Sequence, residues 1–238
     1  MRIPTLLTIL VILLSLFSSF SASKKKILIV TGGHEFYRVS FFQMFDSFDQ
    51  MSFTELVQPK AGIQLETIDL ATFDDVVFYH MPKTITDEEK KGYYRLLKAG
   101  KGLLFLHHSI CAYQDWPEYE SIVCGKYYEN KKNDQFGASS YIEDIGFAIK
   151  IEHKSHPVTK GLKDFNLQNE VYGNLEVLPG VYPLISTSHP KSNVLIGWTL
   201  KKDNSKIVFL QPGHDKFSYT NPNYRRLISQ AIIYITTK

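Results

Sequence analysis

Short, uninterrupted apolar runs recur along the chain, each ending in glycine or histidine. The clearest are Ile27 to Val30 (ILIV), Asp75 to His80 (DVVFYH), Leu103 to Leu106 (LLFL) and Ile207 to Leu210 (IVFL). Such runs suit strands buried on both faces, as in the middle of a parallel sheet. Between the second and third runs, Thr86-Asp87-Glu88-Glu89 forms a capping box with acids at the favourable end of the helix dipole, and Gly100 supplies the stop. Strand, helix and strand in this order make a βαβ unit. Phe41, Phe42, Phe45 and Phe48 recur at helical spacing and predict a packing helix over 37–50. Asp115 and Pro117 open a helix that ends near Cys124 and Gly125. Asn221-Pro222 opens a last one with Leu227, Ile228, Ala231, Ile232 and Ile235 on its apolar face. Further strands are predicted over 53–57, 181–187 and 194–198, with an edge strand over 146–152. Residues 126–140 predict an exposed loop or lid, and 59–73 carry no assignable pattern.

The strand ends hold the candidate chemistry. ILIV runs into Gly32-Gly33-His34, LLFL into His107-His108, and IVFL into Gly213-His214-Asp215. In an open α/β sheet ligands bind outside the carboxyl ends of the strands, so these histidines are expected along one functional edge. A neutral imidazole there serves as a metal ligand or as an acid or base. His107 stands where a nucleophile-elbow enzyme carries Ser or Cys, but no GxSxG surrounds it, and Ser109 or Cys111 as a nucleophile lacks an activating motif. Neighbouring strand residues face opposite ways, so His107 is favoured for the site and His108 is a second choice. His153 and His156 lie three apart before Pro157, which favours a turn over a metal pair.

Bulk properties narrow the classes. Residues 1–23 combine Arg2, an apolar run from Leu6 to Phe17 and the small residues Ser21-Ala22-Ser23, the pattern of a cleaved signal peptide. That predicts an exported protein, periplasmic or extracellular. The run is short of the roughly 20 apolar residues of a membrane span, so no stable membrane insertion is expected after cleavage. Residues 24–238 contain no linker or repeat and predict one α/β domain. A formal net charge of +3 without a basic stripe argues against nucleic acid. GGHEF lacks the later glycines of GxGxxG, so no nucleotide cofactor is expected. Cys111 and Cys124 would form at most one disulfide, or each fills a small buried space. The oligomeric state is open.

Several ordered strings carry a resemblance. They are HPVTKGLKDFNLQNEVYGN (His156 to Asn174), the strand ending in His107, Trp116 to Tyr119, Trp198 after a strand, and Gly213 to Pro222. Together they resemble the ThuA-like, trehalose-utilisation family from Ile27 to about Thr236. Two positions depart from the family pattern: Asn169 stands where Asp is usual, and Lys206 where many members have Arg. The resemblance implies a flavodoxin-like three-layer α/β sandwich with a mainly parallel central sheet, similar to class I glutamine amidotransferases. It also implies carbohydrate metabolism, on a sugar, keto-sugar or glycoside. It does not imply glutamine amidotransferase activity, because no cysteine occupies the elbow.

Beside the resemblance, the residues suggest how such a site works. His34, His107, His214 and Glu170, the last arriving from a loop, make a His/carboxylate catalytic set. His34, His107 and His214 are suited to a divalent metal, zinc above all. His108, Tyr172, Trp198 and Asp215 are the expected substrate-binding residues, with Asp215 orienting a histidine and Tyr172, Trp198 and Trp116 stacking on sugar rings. The competing expectation is a non-catalytic carbohydrate-binding or accessory protein.

Overall fold

The computed structural model describes residues 23–237; the expected signal peptide therefore lies, but for Ser23, outside the described residues. In chain order the elements are β1 (Lys25–Gly32), α1 (Arg38–Asp46), β2 (Met51–Val57), α2 (Lys60–Thr67), β3 (Asp75–His80), α3 (Asp87–Lys98), β4 (Leu103–Leu106) and α4 (Pro117–Val123). The second half adds β5 (Gly125–Lys126), β6 (Ser140–Ile151), β7 (Phe165–Gly173), β8 (Glu176–Val177), β9 (Tyr182–Ser186), β10 (Leu195–Lys202), β11 (Ser205–Leu210), α5 (Lys216–Thr220) and α6 (Pro222–Thr236). Among the described residues no helix is long and apolar enough to cross a membrane.

A nine-stranded sheet runs β2-β1-β3-β4-β11-β10-β9-β6-β7. From β2 to β11 every pairing is parallel, and from β11 to β7 every pairing is antiparallel. Alternation along the parallel strands feeds two separate cores. Ile27, Ile29, Val77, Tyr79, Leu104 and Leu106 pack with α1 and α6 on one face. Leu28, Val30, Val76, Phe78, Leu103 and Phe105 pack with α2, α3 and α4 on the other. The expected α/β sandwich is thus the observed fold, extended by four antiparallel strands. Gly102 allows β4 to start flush against the last helix, because a Cβ there would lie 2.5 Å from the Cβ of Ile235.

Most predicted helices and strands are present, with shifted ends. The capping box on α3 forms as read, Thr86 and Glu89 bonding each other's backbone N–H groups. The unassigned segment contains α2, whose short apolar face (Ala61, Leu65) covers too few turns to register as a period. The strand expected at the edge over 146–152 is longer, as β6, and is internal, lying between β9 and β7; Phe165 to Gly173 forms β7, the edge itself, rather than a loop. Polar Asn169 and Glu170 hid that strand; both are buried because the site buries them. Cys111 and Cys124 are free, buried thiols, not a disulfide.

Candidate active site

Parallel strands bring their carboxyl ends to one edge, and β1, β4 and β11 deliver His34, His107 and His214 to it. At the end of β4 the chain turns sharply into a 3-10 turn, His107–Cys111, and His107 sits at φ 48. That is the left-handed region, unusual for a side chain with a Cβ and common at functional sites. After β11, Gln211-Pro212-Gly213 leads to His214, and Gly213 has φ 136 with the Tyr224 hydroxyl 2.3 Å from where a Cβ would stand. β7 then meets this turn. Asn169 Oδ1 accepts from the N–H groups of Gly213 (3.1 Å) and His214 (3.2 Å), and Gln211 Nε2 donates to the Glu170 carbonyl (2.8 Å). Glu170 is thereby delivered by a strand and fixed opposite His214.

Three donor atoms converge. Glu170 Oε2 lies 2.9 Å from His214 Nδ1 and 3.9 Å from His107 Nε2, and the two ring nitrogens are 3.2 Å apart. His107 Nδ1 lies 2.8 Å from the Gln211 carbonyl. A carbonyl can only accept, so Nδ1 carries the hydrogen and the Nε2 lone pair points at Glu170, His214 and Tyr172. The Tyr172 hydroxyl donates to that Nε2 at 3.0 Å, with its ring stacked on His107 (centroids 5.0 Å apart).

Electrostatics separates the two histidines. Burial pushes the His107 pKa down to about 4, against the pull of Glu170. The hydrogen bond to Glu170 raises that of His214. Burial pushes Glu170 upward, but the hydrogen bond from His214 and the electrostatic attraction of the neighbouring imidazoles outweigh it and hold the carboxyl below its usual range. One imidazole is therefore held neutral while its neighbour is stabilised in the protonated form.

These groups form the floor of a cavity of about 330 Å³. His107, His108, Cys111, Glu170 and Tyr172 are buried in it, and Tyr127, Glu129, Tyr141 and Glu143 stand at its more exposed rim. His108 is 2% exposed, and neither ring nitrogen has a hydrogen-bond partner. Burial keeps it neutral, its pKa well below the usual value. The Cys111 thiol is also pushed up by burial, so it is held as the weakly nucleophilic thiol. Ser109 is buried with an unpartnered hydroxyl, so no base is hydrogen-bonded to it.

Several expected residues fall elsewhere. His34 lines the cavity and stacks on His108 (4.9 Å, 29°), but its Nδ1 meets the Glu35 carbonyl and it stands outside the converging donors. The metal-capable group is His107, Glu170 and His214, with Glu170 in the position expected of His34. Trp198 is sealed in the core against Phe209, its Nε1 donating to the Val123 carbonyl at 2.9 Å; it cannot stack on a ligand. Trp116 packs among Tyr93, Tyr113 and Tyr119, away from the cavity. Asp215 does not orient a histidine ring: it caps α5, accepting from Phe217 and Ser218, and accepts from Asn169 Nδ2 at 3.3 Å. Lys206 donates to the Thr237 carbonyl at the end of α6. His153 and His156 pack on Tyr182 at a turn, as the proline suggested. The rim residues Tyr127, Glu129, Tyr141 and Glu143 were missed, having no periodicity or motif to flag them.

Comparison with known proteins completes the picture. A putative ThuA-like protein from Parabacteroides merdae superposes with a TM-score of 0.77 at 17% identity, covering 90% of this chain and 91% of that one. A glutamine amidotransferase from Thermotoga maritima gives 0.54 at 11% identity, over 91% and 100%. A Salmonella typhimurium protein gives 0.58 at 10% identity, over 87% and 98%. That protein and a second one from the same species are described as cytoplasmic, which runs against the expectation of export read from residues 1–23. No curated protein matches the chain. The family model for ThuA, trehalose utilisation, matches residues 26–235, and with that span covered the chain belongs to the ThuA family.

Proposed function

We propose that the protein is a sugar-converting enzyme that uses His107, His214 and Glu170 for acid–base chemistry on a sugar, keto-sugar or glycoside. Family membership supports a role in sugar metabolism. The observation that carries the catalytic reading is the pair of histidines 3.2 Å apart whose surroundings drive their proton affinities in opposite directions. Titratable neighbours pushed apart in this way supply an acid and a base at one pH. His214, protonated and held by Glu170, donates a proton to a sugar oxygen. His107, neutral and with its Nε2 lone pair turned inward, accepts one. Tyr172 holds the His107 ring in place. Histidine rather than cysteine at the elbow argues against amidotransferase chemistry.

The donor geometry also fits an alternative use of the same three side chains, in which they hold a metal and no longer move protons themselves. Tetrahedral zinc with bonds of about 2.0–2.1 Å sets its ligands roughly 3.3 Å apart. The separations of 2.9, 3.2 and 3.9 Å among Glu170, His214 and His107 bracket that value. These three residues would hold the ion, which when bound supplies Lewis acidity to a sugar carbonyl or hydroxyl. Tyr172 and the neutral His108 would then remain to orient substrate.

The test is turnover of a panel of glycosides and keto-sugars, trehalose included, followed by NMR with and without chelator, with elemental analysis of the same samples. Glu170→Gln and His214→Gln should lower turnover by about 100-fold or more. Stoichiometric zinc lost in both variants supports the metal reading, and a metal-free protein indifferent to chelator removes it. Sugar binding without turnover in the wild type would reduce the protein to the accessory role.

A further inference from the structure

The rim of the cavity differs from its floor in chemistry and in backbone. In the β6–β7 hairpin, Ile142 pairs with Val171 and Ile145 with Asn169, so Glu143 and Asp144 together stand opposite Glu170. That is a bulge, with Asp144 at φ 56. A bulge re-aims the side chains around it and recurs beside active sites. Here it carries Glu143 to the cavity wall, next to Tyr141. Tyr141 is 59% exposed although it is a large aromatic at a cavity mouth. Tyr127 faces it from the loop after β5 and packs edge-on against Tyr172 at 5.2 Å, which joins rim to floor.

A second, independent observation points to a ligand. His108 is buried against Tyr79 with both ring nitrogens unpaired, and it lines this same cavity. Buried polar atoms are nearly always hydrogen-bonded, so an orphaned imidazole on a cavity wall calls for a hydroxyl from outside the chain. The charge balance limits what that ligand is. Glu129, Glu143 and Glu170 line the cavity, and among the described residues no lysine or arginine does; the cations at hand are paired, His214 with Glu170 and the nearby Lys83 with Glu129. Phosphate and carboxylate ligands are recognised by arginine, lysine or helix N-termini, whereas carboxylates and aromatic faces suit hydroxyls and the C–H faces of sugar rings.

We propose that Tyr127, Tyr141 and Glu143 form a second sugar subsite, so that the ligand is an uncharged glycoside of at least two units, one over the His107–Glu170–His214 floor and the next against the rim. This rests on the sugar reading of the site given above. In that arrangement Tyr141 stacks on the outer ring, Glu143 accepts its hydroxyl hydrogens, and His108 takes a hydroxyl of the inner ring.

Calorimetry and saturation-transfer NMR test it on the wild-type protein and on Tyr141→Ala and Glu143→Gln. The probes are glucose and galactose, the disaccharides trehalose, maltose, cellobiose and lactose, and glucose 6-phosphate. The expected result is at least one disaccharide bound about tenfold more tightly than its monosaccharide, the scale of one aromatic contact. That preference should fall below about threefold in both variants, and glucose 6-phosphate should bind more weakly than glucose. Equal affinity for monosaccharides and disaccharides in the wild type, or a preference untouched by both variants, overturns the subsite and leaves the floor reading standing. Binding of no sugar of either size overturns both.

Discussion

Replacing Asn169 by aspartate exchanges a donor for an acceptor at the point where β7 is latched to the His214 turn. Asn169 is fully buried; its Nδ2 donates to Asp215 Oδ1 at 3.3 Å and to Ser218 Oγ at 2.6 Å, while its Oδ1 takes the Gly213 and His214 N–H groups. A carboxylate in its place would face that of Asp215 across the same 3.3 Å. At an effective dielectric of about 20 the repulsion is about 5 kcal/mol. The chain can avoid it by protonating the new residue, at a cost set by its unfolded pKa near 3.9: about 1.5 kcal/mol at pH 5 and about 4 kcal/mol at pH 7. The sign follows from a folded pKa raised above the unfolded one. The variant is nearest wild type below pH 4 and loses stability as pH rises. Urea unfolding followed through the buried Trp116 and Trp198 measures the difference from wild type at pH 5 and pH 7. Asn169→Ala, which lacks the new charge, should show a deficit that does not change between the two. An aspartate deficit equal at both pH values would refute the argument. Beside the Asp215 carboxylate, an amide donates and accepts as this position requires without taking up a proton.

Two further predictions concern the core and the base. Trp198→Phe removes the bond to the Val123 carbonyl and leaves that carbonyl buried, which should cost about 1–3 kcal/mol in unfolding free energy; sugar affinity should stay within about twofold, and a loss of affinity without a fall in stability would return Trp198 to the site. In chelator-treated protein the His107 imidazole should titrate near pH 4 by NMR, against an ordinary value of 6.5. Because its folded pKa is the lower one, the unfolded chain takes the proton first, so stability falls by about 3 kcal/mol as pH drops from 6.5 to 4; His107→Gln should remove that part of the slope, and a His107 signal titrating above pH 6 would contradict it.

The local patterns were readable because each element carries its own evidence. LLFL needs two covered faces whatever surrounds it, the Thr86–Glu89 box bonds only residues three apart, and the apolar face of α6 repeats with the helix. Histidines at the ends of β1, β4 and β11 followed from the same logic, since parallel strands share a carboxyl edge. Tertiary structure alone decided which of them meet. His34 sits one glycine turn too far out, and the third converging donor comes from Glu170 on β7, a strand that sequence could not separate from a loop. Tyr127, Tyr141 and Glu143 reach the cavity through a loop and a one-residue bulge, which leave no period to read. Trp198 and Asp215 looked like ligand contacts by type and proved to be a core ring and a helix cap. Periodicity reports which face of an element is buried, but the distance between side chains on different elements is set by how those elements pack.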